Sequence, residues 1–255
     1  MKFTVIIPAR FESTRLARKM LADLGGKPLV IHAADRARAS GAHEVIIATD
    51  SRDIVAAAEQ YGHTAALTRA DHASGTDRIA EIAAQRNYAD DHIIVNVQGD
   101  EPLIPPAVIA AVANNLAERA AAAVSTACCV LRDAQEFASP GIVKVALDRN
   151  GYALYFSRAP IPYARDAFAN GITALPPGLP VYRHIGIYGL RAGFLRNYAQ
   201  LTPSPLEKFE SLEQLRVLWH GHRISVVVTD DAPPPGVDTA QDLERARATL
   251  AAMRP

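Results

Sequence analysis

Apolar residues follow two rhythms along this chain. Between residue 3 and about residue 119, short runs rich in β-branched residues (FTVIIP, EVIIAT, HTAALT, HIIVNV) alternate with longer Ala-rich stretches whose apolar positions recur every three or four residues. The runs predict strands, and residues 28–40, 51–61, 76–88 and 105–119 predict helices. Short crossovers favour parallel pairing, and residues 45–48 are apolar on both faces, so the sheet is expected to be central and covered on both sides. Ligands bind such sheets outside the carboxyl ends of the strands. Residues 8–19, 49–50 and 98–102 therefore share one face.

After Ala120 the rhythm changes. VSTACCVL, IVKVALD, YALYFS and IGIYGL read as strands with few helices between them, which predicts a smaller mixed or antiparallel extension. Residues 160–183 carry Pro160, Pro162, Pro176, Pro177 and Pro180, too many for the interior of a regular element. They form an excursion long enough to reach a second subunit. Helices follow over residues 191–200 and about 208–220, then a strand ISVVVT, a turn APPPGVDT and a closing helix from Ala240 that Asp238 or Thr239 can cap.

A length of 255 residues suits one α/β domain carrying that excursion. Lys and Arg number 27 and Asp and Glu also 27, so no basic field exists to hold a nucleic-acid backbone or an anionic membrane. A small-molecule partner is expected. The two cysteines, Cys128 and Cys129, are adjacent in one strand, where alternation points them to opposite faces and neither has a partner elsewhere. That usage suits a reducing cytoplasm. MKFTVIIPAR offers only a short apolar run before Pro8, and nowhere do about 18 apolar residues follow one another, so neither an export signal nor a membrane span is expected.

Two stretches carry chemistry. PARFESTRLARK, directly after the first strand, gathers Arg10, Arg15, Arg18 and Lys19 with Ser13 and Thr14, a composition suited to a polyphosphate. Neither a Walker loop nor a dinucleotide fingerprint is present, so side chains must meet the phosphate charge. VNVQGDEPLI ends a buried strand in Asp100 and Glu101. An ionised group in such a crevice is costly without a cation, and Mg²⁺ accepts one or two carboxylates while taking its other ligands from water and phosphates. The alternative is that Asp100 or Glu101 caps the helix near Pro105. Asp238 of GVDT is a second candidate ligand, with helix capping as its alternative.

Taken together, IIPARFESTRL, GGKPLV, ATDS, TRADHASGTDRIAE, VNVQGDEPLI, YALYFSRAPIP, HIGIYGLRAGFL, PSPLEKFESLEQLRVLW and GVDTAQDLERAR resemble the 3-deoxy-manno-octulosonate (Kdo) cytidylyltransferase, or CMP-Kdo synthetase, family from residue 3 to about residue 248. The resemblance implies a nucleotide-diphospho-sugar transferase-like α/β sandwich of three layers. It also implies a homodimer that joins CTP to Kdo with Mg²⁺, releasing pyrophosphate and CMP-Kdo for lipopolysaccharide synthesis. By the same resemblance Pro8, Ala9, Arg10, Arg15 and Lys19 hold cytidine and the triphosphate with Ser74 and Gly75, while Arg78 and Gln98 stand where nucleotide meets sugar. Arg158, His184, Tyr188, Glu210 and Gln214 contact Kdo, and Asp100 and Asp238 hold the metal. Asp100, Asp238, Lys19 and Arg10 then carry the catalysis. One departure stands out: the family's usual Pro-Gly-Lys-Pro after STRL is Ala17, Arg18, Lys19 and Met20 here, which keeps the lysine.

Overall fold

In the computed structural model, which describes residues 1–72, 74–230 and 233–253, the two rhythms become two halves of one sheet. The first half runs β1 (Phe3–Ala9), the hairpin β2 (Asp23–Leu24) and β3 (Lys27–Pro28), α1 (Leu29–Ala39), β4 (Glu44–Thr49), α2 (Arg52–Gln60), β5 (Thr64–Leu67), α3 (Gly75–Gln85), β6 (Ile93–Asn96) and α4 (Pro106–Glu118). The second runs β7 (Val124–Val130), α5 (Ala134–Ala138), β8 (Lys144–Leu147), β9 (Ala153–Ser157), β10 (Tyr182–Arg191), α6 (Ala192–Tyr198), α7 (Pro205–Glu210), α8 (Gln214–Trp219), β11 (Ile224–Thr229) and α9 (Ala240–Ala252). Ala73 of the TRADHASGTDRIAE stretch and Ala232, which heads APPPGVDT, lie outside the described residues.

Strand order across the sheet is β11-β7-β10-β6-β1-β4-β5, with β8 and β9 added beside β10. Strands β6, β1, β4 and β5 are parallel, as their apolar runs predict. Strand β10 is antiparallel to both β6 and β7, so those two point the same way, and β11 follows β7. The chain therefore leaves β1, β4, β6 and β11 on one edge. Three layers result, because alternate residues of β1 face opposite cores: Val5 and Ile7 pack with α1 and α4, and Ile6 packs with α3, α6 and α8. Cys129 and Cys128 divide between the same two cores, and both are buried. No helix among the described residues is long and apolar enough to cross a membrane.

One expectation needs correction, and two are sharpened. The helix over residues 208–220 is two short helices, α7 and α8, because Ser211 adopts a left-handed conformation at φ 52° and breaks the run. Residues 160–181 form no helix or strand, yet they are anchored: Phe168 and Val181 build a small core with Leu131 and Phe137. The closing helix is capped by Thr239 and not Asp238, since the Thr239 hydroxyl accepts from Asp242 N–H in a capping box. That leaves the Asp238 carboxylate free to face elsewhere.

Candidate active site

The loop after β1 lies over the turn after β6. Met20 presses its sulfur toward Gly99, where an added Cβ would stand 2.8 Å from Sδ and 3.2 Å from the Pro8 carbonyl, so a side chain there would push Met20 aside. On the C-terminal side of β11, at the far edge of the sheet, residues 233–238 lie against the same turn, although three inter-strand spacings, about 14 Å, separate β11 from β6. They are pinned there: Val237 N–H donates to the Asp100 carbonyl at 2.8 Å, and Gly236 lies so close that a Cβ there would meet Glu101 Oε1 at 2.8 Å.

That zipper brings Asp100 and Asp238 together. Lys19 Nζ donates to Asp100 Oδ2 at 2.6 Å and to Asp238 Oδ1 at 3.0 Å, so the two oxygens are at most about 5.6 Å apart, the sum of both contacts. Arg15 Nη2 donates to the same Asp238 oxygen at 2.8 Å. Neither acid is spent on a cap, because the α4 cap position is Pro105 and α9 uses Thr239. Glu101 is different. Burial pushes its carboxyl up to about 7, with the Asp100 and Asp238 charges adding to the rise.

Two carboxylates already sharing one cation fit the demands of Mg²⁺, which needs only one or two protein carboxylates when phosphates and water complete its shell. Among the described residues no group of three or more His, Cys, Asp or Glu side chains is assembled to hold a metal. An incomplete protein ligand set suits a cation that is shared with a substrate.

Pro8, Arg10, Arg15, Lys19, Ser74, Gly75, Arg78, Gln98, Asp100 and Asp238 line one cleft of about 330 Å³. Ala9 is buried in β1 beneath it. Ser74 caps α3 in a capping box with Asp77, so its hydroxyl is engaged, and with Gly75 it brings the N-terminus of an 11-residue helix to the cleft wall, a position that favours anions. Arg78 is 4% exposed; it donates to Asp50 Oδ2 at 2.9 Å and to the Thr68 hydroxyl. Gln98 donates from Nε2 to Asn96 Oδ1 at 3.2 Å.

The remaining expected residues fall into three places. Tyr188 and Gln214 line a small recess with Asn96 and Thr76, and the Gln214 Nε2 is buried there without a hydrogen-bond partner. His184 is half-buried and hydrogen-bonded to the Thr126 hydroxyl at 2.9 Å, and desolvation lowers its pKa to about 3, so it is neutral. It also borders a second opening that shares Asp100 and Asp238 with the main cleft. Arg158 and Glu210 bond to each other: Glu210 accepts from Ser157 Oγ and from Arg158 N–H, and Arg158 Nε donates to the Glu210 carbonyl at 2.7 Å. Sequence reasoning passed over Glu213, which lines the recess and accepts from the Tyr198 hydroxyl at 2.7 Å, and His72, which lines the main cleft and is held by Glu81. Glu213 lies beside Gln214 in the same motif, and that adjacency was the available signal.

The departure at residues 17–20 has a local solution. Arg18 takes a left-handed conformation at φ 51°, the region glycine enters freely. It donates to Asp53 Oδ2 at 2.7 Å and its guanidinium lies 5.2 Å from the centre of the Phe11 ring. The conformation costs about 1 kcal/mol for a non-glycine residue, and an exposed ion pair with an exposed cation–π contact returns about as much. Arg18→Gly is therefore expected to leave kcat/KM within about twofold and the melting temperature within a few degrees. Arg18→Val, β-branched at positive φ, lowers the melting temperature and weakens CTP use. Steady-state kinetics and thermal melts of the two variants check this.

Residues 4–224 match the family model described as "Cytidylyltransferase". A solved structure of CMP:2-keto-3-deoxy-manno-octonic acid synthetase complexed with CTP is similar at 40% identity and a TM-score of 0.90, over 99% of this chain and 99% of that one. A "Putative Glucose-1-Phosphate Thymidylyltransferase" from Bacillus anthracis, complexed with a sucrose, is similar at 15% identity and a TM-score of 0.65, over 99% and 97% of the two chains, a likeness of fold alone.

Proposed function

The chain belongs to the cytidylyltransferase family, among its CMP-Kdo synthetases, and from that premise we propose that this nucleotidyltransferase moves CMP from CTP to the anomeric hydroxyl of Kdo with Mg²⁺ as cofactor. The product serves lipopolysaccharide synthesis, and the enzyme works as a cytoplasmic homodimer. The observation that carries the reading is the convergence of Asp100 and Asp238 on one cation at the end of a cleft lined by Arg10, Arg15 and Lys19.

The chemistry follows from charge. Kdo carries a carboxylate and CTP several negative charges, so their approach is opposed unless positive charge intervenes. Mg²⁺ held by Asp100 and Asp238 would supply a Lewis acid that withdraws charge from the α-phosphate and lowers the pKa of the attacking hydroxyl. Arg10, Arg15 and Lys19 bind the triphosphate and stabilise the charge that builds on departing pyrophosphate. The α3 N-terminus adds backbone donors to the same anion. Gln98, held by Asn96, orients the sugar hydroxyl, whose proton passes to solvent as its oxygen bonds to the α-phosphorus and the bond to pyrophosphate breaks. On the sugar side, the unpartnered Gln214 amide beside Tyr188 and Asn96 offers a donor to a polyhydroxylated ligand.

Purified protein given CTP, Mg²⁺ and Kdo is expected to release pyrophosphate and form CMP-Kdo. Parallel reactions with a sialic acid and with 8-amino-Kdo fix the acceptor. Release with one of those and none with Kdo would overturn the proposed acceptor while leaving the cytidylyl transfer intact.

A further inference from the structure

We propose that Lys19 is a tethered stand-in for the divalent cation: its ammonium holds the place between Asp100 and Asp238, so free metal binds weakly and enters together with the nucleotide whose phosphates draw the lysine off the carboxylates. The inference rests on the reading of these two acids as the metal ligands.

The geometry makes the two cations exclusive. Nζ is 2.6 Å from Asp100 Oδ2, and Mg²⁺ bonds carboxylate oxygen at about 2.1 Å. An ion bound to that oxygen would therefore lie within about 5 Å of the ammonium, where one site must hold three positive charges against two negative ones. The contest is least screened at Lys19 and Asp100, whose side chains are 9% and 28% exposed, and more screened at Asp238, which is 41% exposed. Arg15 on Asp238 is 64% exposed and decides less.

The exchange needs only the Lys19 side chain to move, because the backbone beneath it is fixed. Lys19 opens a tight 3-10 turn, Lys19–Leu21, closed by Leu21 N–H to the Arg18 carbonyl at 2.9 Å and Ala22 N–H to the Lys19 carbonyl at 3.1 Å. Met20 is wedged against Gly99. A four-carbon stem rooted there can carry its ammonium from the carboxylates to a triphosphate in the same cleft without moving the chain. When nucleotide and metal arrive together, partners are exchanged: carboxylates to metal, ammonium to phosphate. No buried charge is left alone at any stage, which would otherwise be strongly unfavourable.

The test is direct binding of Mn²⁺, used alone and without nucleotide, to the full chain, followed by electron paramagnetic resonance or calorimetry. Lys19→Met is expected to bind Mn²⁺ at least about tenfold more tightly than the parent, and Lys19→Met combined with Asp100→Asn to lose that gain. Lys19→Gln, neutral but polar, repeats the measurement should methionine disturb the loop, and melting temperatures verify folding. Equal Mn²⁺ affinity in parent and Lys19→Met, with Asp100→Asn weakening both, overturns the stand-in while the metal site survives. Affinity indifferent to Lys19→Met and to Asp100→Asn, with CTP present or absent, overturns both.

Discussion

Asp100→Ala enzyme is expected to turn over about a thousandfold more slowly than its parent, with circular dichroism and melting temperature little changed. Asp238→Ala should behave alike. Neither acid caps a helix, and among the described residues the Asp100 carboxylate has Lys19 as its one hydrogen-bond partner, which keeps Asp238 when Asp100 is removed. Loss of Asp100 thus strands no buried charge, and the fold has no reason to fail. The chemistry does. With one acid gone, the proposed Mg²⁺ would keep only half its protein ligands. Pyrophosphate release under saturating CTP and Kdo, compared with thermal melts, separates the two effects. A kcat within tenfold of the parent for either variant would remove that acid from the metal clamp.

The pairing of these two acids shows what a sequence can and cannot disclose. Each could be singled out alone: Asp100 by ending a buried strand in polar residues, Asp238 by following the last strand. Parallel pairing of the first strands was also implicit, since short crossovers between apolar runs favour it. What periodicity does not carry is the zipper of Gly236 and Val237 against Asp100 and Glu101, because it depends on a close approach between segments that have no local pattern in common. The same holds for Lys19. Its composition suited a phosphate, yet its buried bridge between two carboxylates is a tertiary fact.

Competition between local and tertiary signals explains the other differences. Thr239 and Asp238 are both good caps, and the choice went to the residue with an acid three positions ahead, Asp242, that completes a reciprocal box. Residues 208–220 look helical by apolar spacing, but no periodicity announces a left-handed serine at 211. Arg158 and Glu210 attract notice as charged residues in long motifs. Their charges are satisfied in a knot that also draws in Lys144, whose buried ammonium donates to the Ser139, Ile142 and Arg158 carbonyls.

Arg78→Met is expected to damage stability and nucleotide use together. Arg78 and Asp50 have side chains 5% and 14% exposed, and Asp50 spends its other oxygen on Phe11 N–H at 2.9 Å. This one carboxylate thereby joins α3 to the loop that bears Arg10, Arg15 and Lys19. Removing the guanidinium leaves a buried acid without its counter-charge, a loss of about 3–5 kcal/mol, which for a chain of this size lowers the melting temperature by roughly 10 °C. The KM for CTP should rise roughly ten- to hundredfold, because a charged donor facing the cleft disappears and its loop loosens. Asp50→Asn added to Arg78→Met makes the remaining partner neutral, so much of the melting temperature returns while CTP use stays poor. A double variant that regains both would make Arg78 a fold element alone. A single variant that melts early with unchanged KM would say the same, because a donor to the nucleotide cannot vanish without a trace in its affinity.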